Sequence, residues 1–135
     1  MPHLVVDGMN VIGTRPDGWW RDRAGATRRL LTRLQALRRV TGEPVTLVLD
    51  GRPLPDVPEG DHDDVQVLYA RRGGRDAADD RLVEFVRDLD DTGDVTDVTV
   101  VTSDRGLRAR AHELGATVVG AASLLADLDH LTDSA

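Results

Sequence analysis

The chain alternates between short, unbroken apolar runs and longer stretches in which apolar residues recur every three or four positions. HLVVDGMNVIG at 3–13 climbs through Leu4, Val5 and Val6 and breaks into Asp7, Gly8, Met9 and Asn10. This reads as a strand over 3–6 that ends on a carboxylate, followed by a turn-rich stretch through Gly13, Pro16 and Gly18. Between about 21 and 40, Leu30, Leu31, Leu34 and Leu37 form one stripe, with Arg21, Arg28 and Arg39 roughly opposite. The spacing predicts a long helix, stopped by Gly42 and Pro44. VTLVLD at 45–50 repeats the opening design, a strand that runs into Asp50 and Gly51. Residues 51–64, GRPLPDVPEGDHDD, are too rich in Pro, Gly and Asp for regular structure, whereas VQVLYA at 65–70 is strand-like. DAADD at 76–80 opens a second helix with Leu82, Val83, Val86 and Leu89 on its apolar face. DVTVVT at 97–102 is a fourth strand that leads into Ser103 and Asp104. Leu107, Ala111 and Leu114 mark a short helix closed by Gly115, ATVVG is a fifth strand, and Leu124, Leu125 and Leu128 mark a last helix.

Five apolar strands alternating with four helices imply a parallel sheet covered on both faces, because parallel neighbours need crossover helices. The expected architecture is a Rossmann-like three-layer α/β/α sandwich in one domain over 1–135. With strand order 3-2-1-4-5, strands one and four flank the point where the order reverses, and ligands bind there beyond the C-terminal strand ends. Asp7 and Asp104 would face each other across that crevice, with Asp50 beside Asp7.

Composition narrows the chemistry. No apolar run approaches the roughly 20 residues that span a bilayer, and no basic-then-apolar leader opens the sequence, so no membrane association is expected. The absence of cysteine excludes disulfides, thiolate metal sites and cysteine nucleophiles, and fits a reducing cytoplasm. All 17 basic residues are arginine. Without lysine there is no Schiff base and no Walker lysine.

Three carboxylates at neighbouring strand ends repel one another unless a cation lies among them. Magnesium, which takes few carboxylates and keeps waters, suits a sparse aspartate set better than calcium does. Any single Asp after a strand also serves as a turn residue or helix cap. Asp7 and Asp104 together, with Asn10 one turn on, point to metal. In DAADD, Asp76 is a natural N-cap and Asp79 or Asp80 is favoured by the helix dipole, so structural duty alone accounts for that cluster.

Val6-Asp7-Gly8-Met9-Asn10, the Asp50-Gly51 strand end, Ala78-Asp79-Asp80 and Val101-Thr102-Ser103-Asp104-Arg105-Gly106-Leu107 occur in an order that resembles the NYN branch of the PIN-like nucleases, particularly the YacP-like ribonucleases. The resemblance implies a PIN-like sandwich and metal-dependent endonucleolytic cleavage of RNA. It places the acidic cluster on Asp7, Asp79 and Asp104, supported by Asn10 and Asp50, with Mg2+ or Mn2+ as cofactor and water as nucleophile. Whether Asp76 or Asp80 shares the role of Asp79 stays open, as do oligomeric state and association with the ribosome.

A pI near 4.9 opposes binding to a polyanion at long range. Arginines near the expected site soften this: Arg15 at the first loop, Arg71, Arg72 and Arg75 before Asp79, and Arg105 after Asp104. Trp19 in the first loop is a stacking candidate, although packing over the first helix is the alternative for it or Trp20. Ser103 can donate to Asp104 or to phosphate. Two other classes compete: a non-catalytic RNA- or protein-binding module with a residual cluster, and a haloacid dehalogenase type phosphatase. The latter requires aspartate where Met9 stands, and a lysine that the chain lacks.

Overall fold

The structure, a computed structural model, describes residues 3–70, 73–74, 76–92 and 97–134. In chain order the elements are β1 (His3–Asp7), α1 (Gly8–Gly13), a 3-10 turn (Trp19–Arg21), α2 (Arg23–Thr41), β2 (Val45–Leu49), β3 (Gly60–His62), β4 (Val65–Tyr69), α3 (Ala77–Thr92), β5 (Val98–Val101), α4 (Arg105–Glu113), β6 (Thr117–Val119) and α5 (Ala121–Ser134). Among the described residues no helix is long and apolar enough to cross a membrane.

The sheet order is β3-β4-β2-β1-β5-β6. All pairings are parallel except β3 with β4. The five expected strands are therefore present in the expected order, with one strand added at the edge. β1 is central, and the chain steps from it to β2 on one side and β5 on the other, so the reversal point lies between β1 and β5. Asp7 pairs in register with Val48 of β2, while Val6 pairs with Val101 of β5.

Burial on both faces explains why the strands read as unbroken apolar runs. Val6, Leu47, Val67 and Val101 point into a core shared with α1, α2 and α5, which includes Leu34 and Leu128. Their neighbours Val5, Val48, Leu68 and Val100 point the other way, onto Leu82, Val86 and Leu107 of α3 and α4.

Two expectations need correction. The segment 51–64 is not wholly irregular, because β3 pairs antiparallel with β4 through a two-residue turn at Asp63 and Asp64, whose φ values are 49° and 71°. Aspartate tolerates this left-handed backbone, and two such residues in a row match the twist of a hairpin. The stretch after Asp7 is also more ordered than its glycines suggest. It forms the six-residue α1, which buries Gly8, Val11 and Ile12.

Gly8 permits that helix to lie directly on β2. A Cβ at this position would fall 2.6 Å from Leu49 Cδ2, 2.9 Å from Leu47 Cδ1 and 3.0 Å from the Val48 carbonyl oxygen. Leu47 and Leu49 are themselves fully packed, at 0% and 2% exposure. Gly8→Ala is therefore expected to overpack the core and lower stability by about 1–3 kcal/mol, read as a lower urea midpoint.

Candidate active site

The C-terminal edge of the sheet gathers its polar groups from three directions. Asp7 ends β1, Asp104 precedes α4, and Asp79 sits in the first turn of α3. Asp7 is 7% exposed, an unusual position for a carboxylate, and Thr102 Oγ1 donates to its Oδ2 at 2.9 Å. Burial raises the pKa of Asp7, and the charges of Asp104 and Asp50 add to the rise. The Thr102 hydroxyl and the nearby Asn10 backbone amide, which favour the ionised form, oppose it.

Thr102 does more than hold Asp7. Its oxygen also accepts the backbone N–H of Asp104 at 3.1 Å, so one fully buried hydroxyl fixes both strand-end aspartates. Asp104 in turn caps α4, with Oδ1 accepting the Leu107 N–H at 2.9 Å. Asn10 joins the same loop from the other side: its Oδ1 accepts the Ser103 N–H at 2.8 Å, which leaves its amide nitrogen as a donor. Ser103 Oγ accepts the Ala121 N–H at 3.0 Å and keeps its own proton to donate.

Asp79 is pushed up to about 6, first by burial, then by the charges of Asp7, Asp104 and Asp76, with Arg110 partly offsetting them. Its neighbour Asp80 pairs with Arg110 at 3.0 Å, and the Asp76 carbonyl accepts the Asp80 N–H at 2.8 Å. Asp50 is exposed at the margin of the cluster, with Arg23 Nη2 3.5 Å from its carboxylate. Among the described residues no group of three His, Asp or Glu side chains stands at metal-ligating spacing.

The expected RNA contacts divide. Arg105 and Ser103 are exposed beside Asp104. Arg15 is instead bound to Asp129 of α5 through two bonds, of 2.6 and 3.2 Å, and Arg33 shares the same carboxylate. These two cations hold Asp129 down to about 2. Trp19 packs against the larger core and stands edge-on to Trp20, whose 54% exposure makes it the indole open to solvent. Arg71, Arg72 and Arg75 lie outside the described residues. Thr102 is the group that sequence reasoning passed over, and its signal was a threonine placed between an apolar strand and the Ser103-Asp104 turn.

Two outcomes follow for the isolated protein. Thr102→Val keeps the shape but leaves the buried Asp7 carboxylate without its hydroxyl donor and the Asp104 N–H without its acceptor. It should cost about 1–3 kcal/mol in chemical denaturation, whereas Thr102→Ser retains both bonds and should cost less. Asp79 carries the opposite sign. Its folded pKa of about 6 lies above the ordinary aspartate value of 3.8, so it favours folding below pH 4, and that contribution is lost as pH rises through 6. Asp79→Asn should therefore raise stability at pH 7 by about 1 kcal/mol, a figure discounted for partial exposure. The gain should vanish below pH 4 in melting curves recorded without divalent metal.

Comparison with known proteins bears on the same features. Two crystal structures of Rae1 (YacP) from Bacillus subtilis have this fold. One, of a tryptophan-to-leucine mutant, is 24% identical with a TM-score of 0.79, covering 99% of this chain and 79% of that one. The other is 23% identical with a TM-score of 0.79, covering 99% and 77%. No curated protein matches the sequence. The YacP-like NYN domain matches residues 4–135. With that match running nearly end to end, the chain belongs to the YacP-like NYN domain family, within the NYN branch of the PIN-like nucleases.

Proposed function

We propose that this protein is a magnesium- or manganese-dependent endoribonuclease that cleaves RNA phosphodiesters by attack of water. The observation that carries the reading is the gathering of Asp7, Asp104 and Asp79 at the C-terminal edge of the sheet, beside its reversal point, where the Thr102 hydroxyl holds the Asp7 carboxylate and the Asp104 amide together. Accumulated like charge of this kind is costly by itself and is relieved by a dication. The donors are all oxygen, as magnesium requires. Magnesium keeps most of its waters and takes only one or two carboxylates directly.

Asp7, Asp79 and Asp104 would hold the ion, with Asp50 at its margin. When bound, it supplies Lewis acidity toward water and phosphate. The protein's own groups do the positioning. Thr102 keeps Asp7 in one orientation, and the α4 cap leaves Asp104 with Oδ2 to present. The Asn10 amide nitrogen orients the attacking water or a phosphate oxygen without adding negative charge. The Ser103 hydroxyl donates to phosphate, and Arg105 offers a cation beside it. In-line attack by water displaces the 3′ oxygen, leaving 5′-phosphate and 3′-hydroxyl ends. The chain's lack of cysteine accords with a reducing cytoplasm as its place of action.

A second reading, an RNA-binding module without catalysis, is favoured by the absence of a closed three-ligand group among the described residues. Cleavage separates the two. Single-stranded and structured RNA incubated with the protein should be cut with manganese and left intact with chelator. Asp104→Asn is the informative variant, because asparagine caps a helix as well as aspartate does and the fold is kept. It should lower the rate about 100-fold or more, equivalent to about 2.7 kcal/mol of transition-state stabilisation, and should abolish the rise in melting temperature expected of the wild type in magnesium. Metal-independent RNA binding without cleavage would select the second reading.

A further inference from the structure

Beside the carboxylates lies a cavity of about 390 Å³, within the range of small-molecule sites. Met9, Leu54 and Tyr69 line it together with Asp50, Arg23 and Arg52. Its outer wall belongs to the Pro-, Gly- and Asp-rich segment after β2, and this segment is fastened at several points. Tyr69 Oη donates to the Val57 carbonyl at 2.7 Å and accepts the Leu54 N–H at 3.3 Å. Arg28 grips Asp56 with two bonds of 2.7 and 3.0 Å, and Glu59 accepts the Tyr69 N–H at 3.1 Å. The cavity is thus preformed, which lowers the ordering cost of filling it.

We infer that this cavity receives an unpaired nucleobase of the RNA strand whose phosphate lies at the Asp7–Asp104 edge. The inference rests on the nuclease reading and adds a base-recognition site to it. The thioether, Leu54 and the Tyr69 ring give apolar walls, which a free phosphate would not need. The two exposed arginines and the Asp50 carboxylate give donors and acceptors at the mouth, which an aliphatic ligand would not use. The Arg23 guanidinium is poised for stacking: Cζ lies 5.9 Å from the Trp19 ring, and Nη2 is 3.9 Å from Met9 Sδ and 3.5 Å from Asp50. A planar guanidinium backed by an indole is a good partner for the face of a base. Asp50 joins the two sites, since it lines the cavity while its charge reaches Asp7. A base that enters must leave its stack, so the site selects single-stranded or looped RNA.

The test titrates the whole chain, in chelator, with GMP, UMP, ribose 5-phosphate and inorganic phosphate, following backbone amides by NMR. Ala24 also lines the cavity, from α2, and Ala24→Leu fills it without removing a polar group. Arg23→Gln serves as a second variant should the first fail to fold. The nucleotides should shift the amides of Gly51, Ala70 and Gly73, with affinity at least tenfold weaker in either variant, while ribose 5-phosphate and phosphate leave them unmoved. With manganese, either variant should lower kcat/KM on single-stranded RNA about tenfold. Equal shifts with ribose 5-phosphate, or no shift with any nucleotide, would overturn base recognition. If RNA is still cut at the wild-type rate by the variants, the cavity is discarded and the nuclease reading stands. Nucleotide binding in a protein that cuts no RNA would overturn the nuclease reading and retain the base site.

Discussion

The hydrogen bond from Thr102 to Asp7 is the contact on which the sheet edge depends. A carboxylate at the end of a central strand is flanked by backbone on both sides and sealed from most solvent, so it needs a donor that the neighbouring strand can supply. Thr102, the residue just after β5, provides it, and because the same oxygen receives the Asp104 amide, the position of α4 is set by the same atom. Asn10 completes the arrangement by fastening α1 to the Ser103 amide. Two chain segments far apart in sequence, 7–10 and 102–104, therefore meet through hydroxyl and amide groups that carry no charge, leaving the charged groups to crowd one another in front.

That crowding sits in a molecule of net charge -7. Much of the remaining acid is neutralised locally: Asp56 by Arg28, Asp129 by Arg15 and Arg33, Glu59 by Arg81, and Asp80 by Arg110. Exposed pairs of this kind add little stability, each about 1 kcal/mol or less. Their service is positional, tying the loop after β2 to α2 and α3, and the first loop to α5. Arg23, Arg52 and Arg105 stay at the sheet edge, where a polyanion would approach an otherwise acidic surface.

The strand order and the sandwich were legible because a doubly covered parallel sheet writes its strands as plain apolar runs, and the helices between them keep a clear stripe. Asp7 and Asp104 were legible for the same reason, since a carboxylate that stops such a run stands out. What escaped was whatever departed from these periods. β3 is three polar residues whose pairing is set by the Asp63-Asp64 turn, and α1 is too short, at six residues, to show a stripe. Thr102 looks like the end of a β-branched strand until its two partners are seen. That Asp80 pairs with Arg110 while Asp79 feels the charges of Asp7 and Asp104 is likewise not encoded by spacing alone. Arg15 looked available in sequence because its partner Asp129 lies 114 residues away.

The outermost strands, β3 and β6, are only three residues long. A row of unpaired amides that short offers little for a second chain to extend, and Asp61 and the twisted turn after it oppose a flat approach. Open sheets of this kind commonly guard their edges with lysine, which this chain does not contain. The added hairpin strand covers the longer and more apolar β4, whose edge would otherwise present unpaired backbone groups to solvent.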